Sequence, residues 1–312
     1  MRPPATTRRV FRVVQLARFV IKLRRGDIRT KRRENPARSR GASMAPQQEK
    51  SGQPGWMPAP STVVAETRLV PPRREAAGRA AVAQAGAAPP ATTYRILRTT
   101  EVDPYDAPVV RTEIPALGVA LARPPGDSFQ GTKRKAAKLS IGSAQIESFD
   151  DLTTLVASLP ADEDMTSHTP PISDDKTSDR VEEEERNVSL HAFLFAASRE
   201  DDNDFHLIIG RAPSASLLCM TAEVSGLPPA DSASFAPLKR SRDAFKDFFK
   251  DNLPGSTYDF YDPPIPIEIQ GSLFFDITHA TGSHPGPSKL RPHIPTIWEI
   301  HPITNIVFEP DA

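Results

Sequence analysis

The chain has a single cysteine in 312 residues. A lone thiol cannot form an internal disulfide, and the apolar run around Cys219 suits a small buried hydrophobe. Nor does any apolar run reach the roughly 18 residues that suggest a membrane helix; the N-terminal apolar stretch is broken by Arg12, Arg18 and Lys22. An integral membrane segment is therefore not expected, and a secretory signal fits poorly. Lys plus Arg and Asp plus Glu stand at 39 each, so there is no overall charge bias toward nucleic acid or a membrane. HExxH, paired CxxC, P-loop and Gly-x-Ser-x-Gly elements are all missing. These absences leave the compartment open, with cytoplasm favoured.

Against them stand 33 prolines and a hydrophobic content of only 38%. That composition implies one folded domain with a long tail. Residues 1–43 read as a basic arm, or as upstream sequence if translation starts at Met44 or Met57. VFRVVQLARFVIKL is the exception in that arm, since it suits a basic amphipathic helix for a membrane surface, a targeting segment or a nucleic-acid contact. Residues 44–135 are rich in proline and alanine and read as a disordered linker, with TYRILRTT at 93–100 as a transient strand or partner-binding segment.

The expected domain spans 136–312. SFDDLTTLVASLP predicts a short helix with Ser148 as N-cap and Phe149, Leu152, Leu155, Val156 and Leu159 on one side. An acidic stretch at 161–187 reads as a solvated loop. Three strands are then predicted at 188–198, 204–210 and 216–226, followed by a helix at 238–252. IPIEIQGSLFFDI, with Gly271 as a bend or bulge, and WEIHPITNIVF supply the last two strands. Three strands, a helix and two strands is the order of a five-stranded OB-like Greek-key barrel, so the expected class is mainly β with one or two helices.

DNDFHLIIG, MTAEVSGLP, GSLFFDITHATG and WEIHPITNI occur in that order. In this series the chain resembles a family of uncharacterised bacterial proteins that carry an acid-x-His-Leu strand, an Ala-Glu strand, a Phe-Phe-Asp-x-x-His segment and a closing Glu-x-His-Pro strand. The resemblance covers roughly 146–310, implies a shared domain, and brings no established activity with it. The long acidic loop before Val188 and the pair His284 and Pro285 depart from the pattern.

The same motifs carry the candidate chemistry. Asp204 and His206 lie two apart, as do Glu299 and His301, so each pair shares one face of an extended strand. Convergence of these with Glu223, Asp276 and His279 would make a divalent-metal site. Its ligands would be His206, Asp276, His279, Glu299 and His301, with Asp204 or Glu223 as general base in a metal-dependent hydrolase. The competing reading is a set of histidines that hydrogen-bond to neighbouring acids and hold strands in register. Fold analogy favours a binding or interaction module for single-stranded nucleic acid, another oligomer or a protein. Arg240, Arg242, Lys246 and Lys250, together with Lys239, would supply phosphate contacts from the helix.

Overall fold

The computed structural model describes residues 54–72, 92–105, 126–282 and 284–310, all within the compact unit Gly52–Ala312. The expectations for 1–43 lie outside the described residues. Eight strands form one mixed sheet: β1 (Val63–Leu69), β2 (Tyr94–Thr99), β3 (Ile146–Phe149), β4 (Asn187–Arg199), β5 (Phe205–Gly210), β6 (Cys219–Val224), β7 (Asp259–Phe275) and β8 (Trp298–Phe308). The order is β1-β2-β7-β8-β6-β5-β4-β3, with a further pairing of β7 to β4. The five strands expected from the sequence are β4 to β8. Among them β4 pairs with β5, β5 with β6, β6 with β8, β8 with β7, and β7 again with β4.

Three strands add to that expectation. β3 takes the place of the first turn of the predicted helix, because Ile146–Phe149 pairs in parallel with Asn187–Leu190. The helix is accordingly shorter, α2 (Leu152–Ala157), after a four-residue α1 (Lys135–Lys138). It is capped by Asp151, whose side chain accepts from the Thr153 N–H at 2.7 Å, not by Ser148. β1 and β2 fall inside the stretch assigned to a disordered linker, and 126–135 also packs on the domain, so the boundary at 136 lies too far along the chain. Their order comes from tertiary partners. β2 buries Tyr94, Ile96 and Leu97, pairs with Asp259–Asp262, and the Tyr94 hydroxyl donates to Glu309 at 2.7 Å.

The acidic loop is also only partly solvated. It contains α3 (Asp162–Thr166), and Glu184 is fully buried against Arg134. Helix α4 (Phe235–Phe249) packs Phe245, Phe248 and Phe249 into the main core, where Phe248 stacks on Phe308 at 4.1 Å. The buried face of β8 contributes Trp298 and Ile300 to that core; Leu273 and Phe275 of β7 and Ala222 and Val224 of β6 join them. Because side chains alternate along a strand, Phe274, Glu223, Glu299 and His301 point to the other face. Gly271 sits at the register shift between β7 and β8. A Cβ there would lie 2.6 Å from both Ile300 Cγ2 and the Pro302 carbonyl oxygen, so the bulge requires glycine.

Candidate metal centre

Strand register assembles the site. His206 of β5 stands opposite Glu223 of β6, while the parallel pairing of Thr221 with Glu299 and Ala222 with Ile300 sets Glu223 level with His301. Phe274 of β7 faces Glu299 from the other side. Asp204 precedes β5, and Asp276 follows β7 as the N-cap of a 3-10 turn, Ile277–His279, accepting from the Thr278 N–H at 2.9 Å. The seven candidates therefore meet on the face that points away from the main core.

The contacts are of two kinds. His301 Nδ1 lies 2.5 Å from Glu223 Oε2, and His206 pairs with Glu200 through Nδ1; both contacts fit the hydrogen-bonded reading. Four others are longer: His301 Nε2 to Asp204 Oδ2 at 3.5 Å, His301 Nδ1 to Glu299 Oε2 at 3.7 Å, His279 Nδ1 to Glu299 Oε1 at 3.7 Å, and His279 Nε2 to Asp276 Oδ2 at 3.9 Å. These exceed hydrogen-bond length, which ends near ~3.2 Å. Two ligands held at about 2.1 Å around one tetrahedral ion lie ~3.4 Å apart, which is close to the observed spacing. Asp204 Oδ2 and both Glu299 carboxylate oxygens are buried without a hydrogen-bond partner. Such atoms are costly unless something binds them.

Three sets of side chains bring ligand atoms within 4.8 Å of one another: Glu200, His206 and Glu223; Asp204, Glu223 and His301; and Asp276, His279 and Glu299. The electrostatics separate the acids. Burial, reinforced by the carboxylates of Asp202 and Glu223, pushes Asp204 well above the usual carboxylate range. Burial with Glu223 and Asp276 does the same to Glu299. Burial would also raise Glu223, but Lys138 and His301 hold it low; Asp276 is likewise held low against burial by His279 and Lys138. Burial lowers His279 and His301, favouring the neutral imidazole that ligates metals.

Several residues of the site have no motif in the sequence. Lys138 is buried with Nζ 3.5 Å from Asp202 and 3.7 Å from Glu223. Only burial distinguishes it from the exposed Lys133 and Lys135 in the same basic run. Arg134 makes a two-pronged pair with Glu184 at 2.6 and 2.8 Å and covers the Phe274 ring at 4.7 Å. Tyr105 packs on the His279 ring at 4.2 Å. An open pocket of about 350 Å³ runs up to the cluster, lined by Tyr105, Lys133, Lys138, Asp202, Asp276 and His279 among others. The polar turn REDDND supplies Glu200 and Asp202, so the acids in that turn were the available signal.

The basic residues of α4 do not form one displayed row. Arg240 and Lys250 are exposed, whereas Arg242 is fully buried. Its guanidinium donates to Asp127 at 3.0 Å, to the Ser225 carbonyl at 3.1 Å and to Asn203 Oδ1 at 3.1 Å. Lys246 donates to the same Asp127 at 2.7 Å. Trp298 and Phe275 belong to the main core, while Phe274 lies on the site face, 5.4 Å from the His301 ring. No described helix is long and apolar enough to cross a membrane. No protein-family model, curated protein or solved structure matches the chain.

Proposed function

We propose that this protein is a divalent-metal-dependent hydrolase of phosphodiesters, built on an OB-like Greek-key barrel made by β4 to β8. The observation that carries this reading is the spacing of 3.5 to 3.7 Å between buried imidazoles and Asp204 Oδ2, Glu299 Oε1 and Glu299 Oε2, none of which has a hydrogen-bond partner. The cyclic pairing β4-β5-β6-β8-β7-β4 supports the barrel. In that topology the second and third strands and the loops after the first and fourth form the ligand face. Here those positions correspond to β5, β6, the turn with Glu200 and Asp202, and the segment with Asp276 and His279. The pocket is lined by that turn and that segment, together with Tyr105 and residues from 130–138.

An ion held by Asp204, Glu223 and His301 would bring a bound water toward neutral pKa and supply hydroxide. Attack by that water on phosphorus would break the P–O bond to the leaving alkoxide, which would take up the proton the water gives up. The pocket lining mixes Lys133 with Asp201, Asp202 and Asp276, so the attraction for an anionic substrate would come from the bound ion. A pure binding module gives no reason to leave Asp204 Oδ2 and both Glu299 oxygens buried without partners.

The test is metal analysis of the purified full chain, together with turnover of bis(p-nitrophenyl) phosphate and a single-stranded oligonucleotide. Chelation should abolish hydrolysis, and one added divalent metal should restore it. Loss of a group that merely orients a ligand costs 10–100-fold, so His301→Ala should lower turnover by at least ~100-fold. A metal-free protein that cleaves neither substrate after reloading would sink the proposal. Salt-sensitive oligonucleotide binding by such a protein would favour the binding-module reading.

A further inference from the structure

We infer that the site is built for two divalent cations: an inner one that would be held by Asp204, Glu223 and His301, and an outer one that would be held by Asp276, His279 and Glu299, with Glu299 standing between the two triads. This rests on the metal-centre reading above and adds its stoichiometry and the division of labour within it.

The two triads share no residue, and each brings its ligand atoms within 4.8 Å. Glu299 lies between them. Its Oε1 faces His279 Nδ1 and its Oε2 faces His301 Nδ1, each at 3.7 Å, and neither oxygen has a hydrogen-bond partner in a fully buried side chain. His301 turns Nδ1 to Glu223 and Nε2 to Asp204, so Glu299 stands between the two triads with both oxygens unpartnered and belongs with the outer one. Two-metal hydrolytic sites hold their ions roughly 3.5–4 Å apart, a span a single carboxylate bridges.

Depth separates the two positions. Asp276 and His279 line the open pocket, whereas the side chains of Asp204, Glu223 and His301 are at most 2% exposed and lie behind it. An ion at the outer triad would be the one within reach of a substrate oxygen, and the inner triad would hold the ion that activates water. Tyr105, packed on the outer ligand His279, forms part of the entrance.

The experiment is Mn²⁺ loading of the full chain, read by elemental analysis and electron paramagnetic resonance, for the wild type, His279→Ala and Asp276→Asn. Circular dichroism would verify folding. The wild type is expected to bind two ions with a spin-coupled signal. Either variant should keep one ion and show an uncoupled signal; two variants are used so that distortion of the turn by one replacement is not mistaken for loss of a ligand. Glu299→Gln should weaken or remove the coupling. One ion in the wild type, unchanged in both variants, overturns the two-ion inference and leaves the single metal centre standing. Two ions retained in both folded variants overturns the assignment of Asp276 and His279. No ion in the wild type overturns the inference and the metal-centre reading together.

Discussion

Replacing Arg134 by methionine should destabilise the domain strongly without removing any proposed metal ligand. Its guanidinium makes two contacts to Glu184, at 2.6 and 2.8 Å, and donates to the carbonyls of Phe275 at 3.0 Å and Asp179 at 2.9 Å. Both members of the pair are at most 1% exposed. Glu184 also accepts from the Phe275 N–H at 2.9 Å and the Val181 N–H at 3.0 Å, so the pair ties the acidic loop to the end of β7, one residue before Asp276. Removing one partner of a buried ion pair leaves the other charge uncompensated and costs about 3–5 kcal/mol. For a domain of this size that corresponds to a melting temperature lower by roughly 6–20 °C. The double variant Arg134→Met, Glu184→Met removes both charges, and its loss should fall well short of the sum of the two single losses. It will not be neutral, because the N–H groups of Phe275 and Val181 lose their acceptor at about 1–3 kcal/mol each. Urea unfolding of the two single variants and the double gives the coupling energy directly. Additive losses, or a single-variant cost below about 1 kcal/mol, would refute a buried, coupled pair.

Three further outcomes are expected. Burial pushes Asp259 up to about 7, against the opposing pull of Arg98 3.9 Å away. The folded state then takes up this proton more readily than the unfolded chain, so the native stability from this group is full below pH ~4 and is lost as pH rises toward 7. Asp259→Asn should therefore gain stability, by up to about 4 kcal/mol at pH 8 and by little at pH 4, with a pH-independent difference counting against the argument. Gly271→Ala forces a Cβ against Ile300 and the Pro302 carbonyl, so it should cost about 1–3 kcal/mol and weaken metal binding by displacing His301; unchanged stability would mean that β8 does not approach so closely. Burial raises the Cys219 thiol to about 12, so the native protein should not react with a thiol reagent at neutral pH, while the unfolded chain should titrate one thiol. Rapid native labelling would contradict that.

The elements most legible in the sequence were those whose apolar residues recur within a single segment. β8 lies where WEIHPITNIVF predicted it, β5 and β6 lie inside their expected runs, and Gly271 sits at a bulge. The strands that the sequence concealed depend on distant partners. β1 exposes most of its side chains and is held by backbone pairing to β2, and β3 displaces the start of a helix by pairing in parallel with a strand some forty residues on. Periodicity within a segment carries no record of such pairing. The helical basic residues show the same limit, since Arg242 and Lys246 turn to Asp127 from a strap more than a hundred residues earlier.

For the candidate site, the residue types were readable in advance and their arrangement was not. An acid and a histidine two apart, in strands otherwise built for burial, marked Asp204, His206, Glu299 and His301 because buried charge needs a partner or a ligand. The parallel register of β6 on β8 then decided that Glu223 would stand beside His301, and the bulge at Gly271 decided where Asp276 would emerge. Only burial could single out Lys138 from its neighbouring lysines, and only the packed loop could turn Glu184 from a solvated acid into the partner of Arg134. Sequence determined the chemistry on offer, one strand at a time. Tertiary structure determined which groups meet without water between them, because pairing across the sheet and desolvation belong to the folded whole.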